Sequence, residues 1–120
     1  MARRLVVKVT AGTDDPERCN QGFTVAATAV ASGADVSLWL TGEAAWFGVP
    51  GRAEEFALPL AAPLADLLDA VLAGGRVTVC AQCAARRGIE PDGVRAGVQI
   101  AGAAVFTEEV LRDGVQALVY

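Results

Sequence analysis

The sequence predicts an α/β fold: a single-domain three-layer sandwich around a five-stranded, mainly parallel sheet of flavodoxin- or Rossmann-like type. Three observations predict it. Short apolar runs rich in valine and leucine alternate with longer stretches of helical spacing, the pattern of strands joined by helical crossovers. A length of 120 residues suffices for one domain with a substantial core, so one domain over residues 1–120 is expected. Hydrophobic residues make up 53% of the chain and its mean hydropathy is +0.40. That level suits a sheet buried on both faces, or an assembly that hides further surface.

Residues 4–10, Arg-Leu-Val-Val-Lys-Val-Thr, read as the first strand. Ala11-Gly12-Thr13 turns the chain, Asp14 or Asp15 caps a helix, and Pro16 suits its first position. The helix is expected over 16–32, with Phe23, Val25, Ala26 and Val30 inward and Cys19 in its first turn, and it stops at Ser32-Gly33. Val36–Leu40 reads as the second strand and Thr41-Gly42-Glu43 as a loop. The apolar segment Ala44–Val49 has no clear period; its Trp46 and Phe47 suit a crevice cover, a subunit contact or ordinary core. Residues 50–62, with proline, glycine and charge, read as a linker or lid.

Pro63 opens the next helix, where Leu64, Leu67, Leu68, Val71 and Leu72 form one stripe, and Gly74-Gly75 ends it. Arg76–Val79 reads as the third strand, running into a turn that carries Cys80 and a short helix stopped by Gly88. Residues 89–93 are a loop, 94–100 contain a short fourth strand, and 103–112 form a helix with Phe106, Val110 and Leu111 inward. Val115–Val119 is the last strand. Right-handed crossovers then place helices on both faces, and chemistry at the carboxyl ends of the strands, where Gly12, Thr13, Thr41, Gly42 and Cys80 fall.

Composition removes several function classes. The formal net charge is −4 and no basic cluster is present, which argues against nucleic acid as a principal partner. Arg3-Arg4 reads as a solvated pair ahead of the first strand. No run approaches the roughly 18 apolar residues of a membrane span, so no membrane partner is expected. Lys8 interrupts the only signal-like start, and the cytoplasm is the expected compartment. The cysteines, three in number, then read as free thiols. Histidine is absent, which excludes Ser-His and Cys-His catalysis and the usual histidine metal sites.

Cys80 is the leading candidate. A thiol at a strand end before a helix meets unpaired backbone N–H groups that favour the reactive thiolate, although a buried, inert cysteine has the same sequence appearance. Cys83 completes a C-x-x-C spacing, but Ala81-Gln82 between the cysteines is unlike a thioredoxin-type pair. Zinc is the weakest reading: the pair supplies two ligands, Cys19 a third, and histidine none. No metal is expected. Gly-x-Gly-x-x-Gly is absent and Ala11-Gly12-Thr13 is no phosphate loop, so no cofactor is expected either. Glu54-Glu55 and Glu108-Glu109 read as solvated faces. Arg86 and Arg87 suit an anionic sulfur donor or partner, or a solvated helix end. Gly12, Thr41, Gly42 and Arg86 are taken as the candidate substrate-binding residues.

An ordered set of motifs resembles the DsrE/DsrF-like family, with its TusD- and YchN-type members. The set is Gly12-x-x-Asp15-Pro16, Ala31-Ser32-Gly33-Ala34-Asp35-Val36, Leu40-Thr41-Gly42-Glu43, and Val79-Cys80-x-x-Cys83-Ala84-x-Arg86-Arg87-Gly88-Ile89. It spans nearly the whole chain. The resemblance implies a DsrEFH-like α/β fold and homo- or hetero-oligomers, often trimers or hexamers. In relay members the cysteine matching Cys80 accepts sulfane sulfur as a persulfide and passes it on; the relay does not require Cys83. Three functions therefore stand: a sulfurtransferase or sulfur carrier that exchanges with donor and acceptor proteins or small persulfides, with Cys83 as a resolving thiol; a dithiol redox or sensing module of Cys80 and Cys83; and a non-catalytic subunit of an oligomer.

Overall fold

The computed structural model describes residues 2–120, so Met1 of the expected domain lies outside the described residues. The strands are β1 (Arg4–Val9), β2 (Asp35–Leu40), β3 (Arg76–Cys80), β4 (Val98–Ala101) and β5 (Val115–Val119). They form one sheet in the order β4-β3-β2-β1-β5, and all the pairings are parallel. The helices are α1 (Pro16–Ala31), α2 (Arg52–Glu55), α3 (Leu64–Gly74), α4 (Ala81–Arg86) and α5 (Ala103–Val110).

Strand order decides which face each helix covers. From β1 to β4 the chain steps in one direction across the sheet, so right-handed crossovers put α1 and α3 on a common face. From β4 it returns across the whole sheet to β5, and this crossover carries α5 to the opposite face. The first face is the core. Val7, Val9, Val36, Leu38, Leu40, Val77 and Val79 from the strands meet Phe23 and Ala26 of α1 and Leu64, Leu68 and Val71 of α3, all at 0–1% exposure. Each of the larger side chains stabilises the fold by about 1.5–3 kcal/mol on burial.

The second face has thinner cover. No residue of α5 is fully buried. Phe106 stands edge-on to Trp39 with ring centroids 5.3 Å apart, and the Glu109 carboxylate accepts from Ser37 Oγ at 2.7 Å and from Trp39 Nε1 at 3.1 Å. Ser37 and Trp39 are each 1% exposed, so this carboxylate satisfies two buried donors and pins α5 to β2.

Several expected boundaries move. The segment read as Ala44–Val49 lies in a 3₁₀ helix, Gly42–Gly48, whose Ala44, Ala45 and Phe47 are core, and the expected linker 50–62 contains α2. A short apolar run with no period of either kind folds after β2 and packs against Val79 of β3 and Val98 of β4. β3 includes Cys80 itself. The last helix ends at Val110, and Leu111, read as inward, is 76% exposed because the chain leaves the helix there to enter β5. Glu109 takes the inward place instead.

Replacing Glu109 with Ala leaves Ser37 and Trp39 without their acceptor. The expected result is a loss of about 1–3 kcal/mol of unfolding free energy in urea denaturation. An unchanged midpoint would show that Phe106 alone holds α5.

Candidate functional site

β3 alternates Val77 and Val79 into the core with Thr78 and Cys80 on the thinly covered face. Cys80 is the last residue of the strand, in extended conformation (φ −62°, ψ 127°), and Ala81 begins α4. Its thiol is half-buried. Burial opposes its ionisation. The Cys83 backbone N–H, the Cys83 thiol, the Gln82 backbone N–H and the Lys8 charge act in the opposite direction and together hold the Cys80 thiol below its ordinary range.

Cys83 is fixed from a distant part of the chain. The Gly42 N–H donates to Cys83 Sγ at 3.2 Å. Gly42 adopts φ +54°, and a Cβ there would run into the carbonyl oxygen of Thr10, so the close approach of this loop to α4 requires glycine. Arg87 closes the arrangement. Its Nε and Nη2 donate to Glu43 Oε2 at 2.9 and 2.8 Å, and its Nη1 donates to the Cys83 carbonyl at 3.2 Å.

The sequence-derived residues separate into two sets. Cys80, Cys83 and Gly42 come together. Thr41 is buried and its hydroxyl donates to the Val9 carbonyl at 3.3 Å. Gly12 is packed against the Glu43 backbone, and its N–H donates to Asp14 Oδ1 at 2.7 Å. Arg86 is exposed, whereas its neighbour Arg87 holds the cysteine-bearing helix. Cys19 is fully buried in α1, where burial first and the Asp14 charge second push its thiol up to about 12.

Sequence reasoning missed Lys8 and Glu43 as neighbours of the cysteines, and it weighed Arg87 only together with Arg86, as a residue for an anionic donor or a solvated helix end. A lysine inside an otherwise apolar strand was the signal for Lys8: a charge at that place marks a face that is incompletely covered. Among the described residues no three histidine, cysteine, aspartate or glutamate side chains converge to hold a metal ion. No helix of the described residues is long and apolar enough to cross a membrane.

The chain is similar to known proteins over its full length. A family model described as the DsrE/DsrF-like family matches residues 3–118. No curated relative matches. Among solved structures, the ychN protein from E. coli superposes with a TM-score of 0.80 at 20% identity, covering 100% of both chains. MTH1491 from Methanobacterium thermoautotrophicum, a protein of unknown function, superposes with a TM-score of 0.75 at 12% identity, covering 98% of this chain and 99% of its own. These likenesses show the fold.

The contrast between the thiols is measurable by peptide-resolved alkylation with iodoacetamide. Lowering a thiol's titration range raises its thiolate fraction at a given pH, so Cys80 should reach its maximal rate at lower pH than an unperturbed cysteine thiol. Cys19, buried and raised from 9.0 to about 12, should stay unmodified in the native protein at pH 7. Equal rates at Cys19 and Cys80 would contradict the assignment.

Proposed function

The chain belongs to the DsrE/DsrF-like family, and from that premise we propose that it handles sulfane sulfur in the cytoplasm, carrying it as a persulfide on Cys80. The observation that carries the reading is the state of this thiol. It is half-buried at a strand end, held below its ordinary titration range, and accompanied by a second thiol that donates to it.

The chemistry is an exchange with no net oxidant. The Cys80 thiolate attacks the outer sulfur of a donor R–S–SH. The donor S–S bond breaks, R–S⁻ leaves with the electron pair, and Cys80–S–SH forms. An acceptor thiolate then takes the outer sulfur in the same way and frees Cys80. Without an acceptor, Cys83 attacks the inner sulfur, giving a Cys80–Cys83 disulfide and hydrogen sulfide. Contact between the two thiols also favours the dithiol redox reading, in which oxidation of the pair, not sulfur carriage, is the function.

Intact mass spectrometry after incubation with a small persulfide donor separates these. The expected product is a gain of about 32 Da, one sulfur atom, on the Cys80 peptide. It should be absent in Cys80→Ser and longer-lived in Cys83→Ser. A Cys80→Ser variant that gains the same mass would sink the carrier reading. A Cys83→Ser chain that gains no sulfur, while the wild-type chain loses two hydrogens, would favour the redox one.

The same reading includes assembly with further copies, as a trimer or hexamer. It is supported by exposed apolar side chains on α5, β5 and their connection: Leu111 at 76%, Val119 at 64%, Val105 at 44% and Leu118 at 41%. Sedimentation equilibrium should give a multiple of the 12.3 kDa chain mass, reduced by Leu118→Glu with Val119→Glu. A monomer at high concentration would refute it.

A further inference from the structure

Lys8 is a cation at the centre of an interior strand. β1 lies between β2 and β5, and Val7 and Val9 on either side of Lys8 are fully buried in the core. Lys8 points to the other face and is half-buried there. The ion pairs among the described residues do not include it. Its ammonium instead lies over the ring of Phe106, 5.0 Å from the centroid, and Phe106 in turn packs edge-on against Trp39.

The strand register connects this cation to the thiol. Lys8 is opposite Trp39, Trp39 is opposite Thr78, and Cys80 is the next residue after Thr78 on the same face. The carboxylate on this face, Glu109, is committed to Ser37 and Trp39. The Lys8 charge is therefore left to act on Cys80, and it is one of the influences that favour the Cys80 thiolate.

We propose that Lys8 is a positioning residue that makes the Cys80 site selective for anionic sulfur donors, that is, persulfides on thiols that carry carboxylates. The proposal rests on the reading of Cys80 as a sulfur acceptor. In that exchange a thiolate must meet a donor that is itself negative, and R–S⁻ must leave beside the new Cys80 persulfide. Like charges oppose both steps, and a cation without a carboxylate partner on the same sheet face as the sulfur offsets part of the repulsion. The step stays balanced: Cys80 Sγ bonds to the outer sulfur, the donor S–S bond breaks, and its electron pair departs on R–S⁻.

A pair of alkylating agents of nearly equal size tests this without any sulfur transfer. Iodoacetate is anionic and iodoacetamide is neutral, and both displace iodide at Cys80. The quantity read is the ratio of the two rates at the Cys80 peptide, in the full chain, for wild type, Lys8→Met and Lys8→Arg. A changed thiolate fraction or a local packing change alters both rates together, whereas loss of the positive charge lowers the iodoacetate rate preferentially. Lys8→Met should reduce the ratio on the order of threefold, and Lys8→Arg should keep it near the wild-type value. Protection of Cys19 from both reagents reports that each variant is folded. An unchanged ratio in Lys8→Met would overturn the proposal, and so would a Lys8→Arg ratio as low as that of Lys8→Met. Failure of the carrier reading shows separately, as absence of persulfide on wild-type Cys80 while the alkylation ratio still responds to Lys8.

Discussion

The return crossover from β4 to β5 is the constraint on which the rest of the molecule depends. It is the one connection that brings the chain back across the sheet, and it carries one helix of eight residues, α5. The other face receives α1 and α3, with 16 and 11 residues, and its strand positions are uniformly apolar. Cover of the thin face is incomplete, and the strands supply side chains to match: Lys8, Ser37, Trp39, Thr78 and Cys80. A lysine on the packed face would carry the cost of burying an unpaired charge. On the thin face it stays half-buried and rests on an aromatic ring, which offsets part of the lost hydration.

Around Cys80 the fold orders the two sulfurs into unequal partners. Gly42 donates its N–H to Cys83 Sγ, and the Cys83 thiol donates in turn to Cys80. Cys83 is thus held from one side by Gly42 and stands against the Cys80 thiol on the other, where it favours the Cys80 thiolate. Arg87 holds the Cys83 carbonyl and Glu43 together, so the loop after β2 and the helix after β3 share one clamp. Cys80 comes from a strand end, but the thiol next to it is held by a loop some forty residues earlier in the chain.

Much of this was legible in the sequence. The periodic stripe of α3, the Asp15–Pro16 start of α1 and the valine-rich strands all rest on local patterns, and local patterns survive into the fold. The place of Cys80 at a strand end belongs to the same class, because a β-branched run followed by small helix formers marks the junction. Other features were not legible for a physical reason. Alternation along β1 reports that Lys8 faces away from Val7 and Val9, but says nothing about how well that opposite face is covered. Arg86 and Arg87 are equivalent in composition, and only the position of Glu43 across the site selects Arg87. Leu111 looked inward by hydrophobicity, whereas the donors on Ser37 and Trp39 required a carboxylate at that helix face, and Glu109 provides it.

The two faces also explain why the thiols of Cys19 and Cys80 shift in opposite directions. Cys19 sits on the packed side at 0% exposure, beside Asp14, and its thiol rises from 9.0 to about 12. At neutral pH Cys19 therefore stays protonated and behaves as a small apolar side chain. Cys80 is subject to the same opposition from burial, but a less complete burial, and on its side the donors and the Lys8 charge prevail. The donors of the C-x-x-C turn, on Cys83 and Gln82, supply most of that difference, and the thin cover by α5 leaves a face on which the Lys8 charge adds to it.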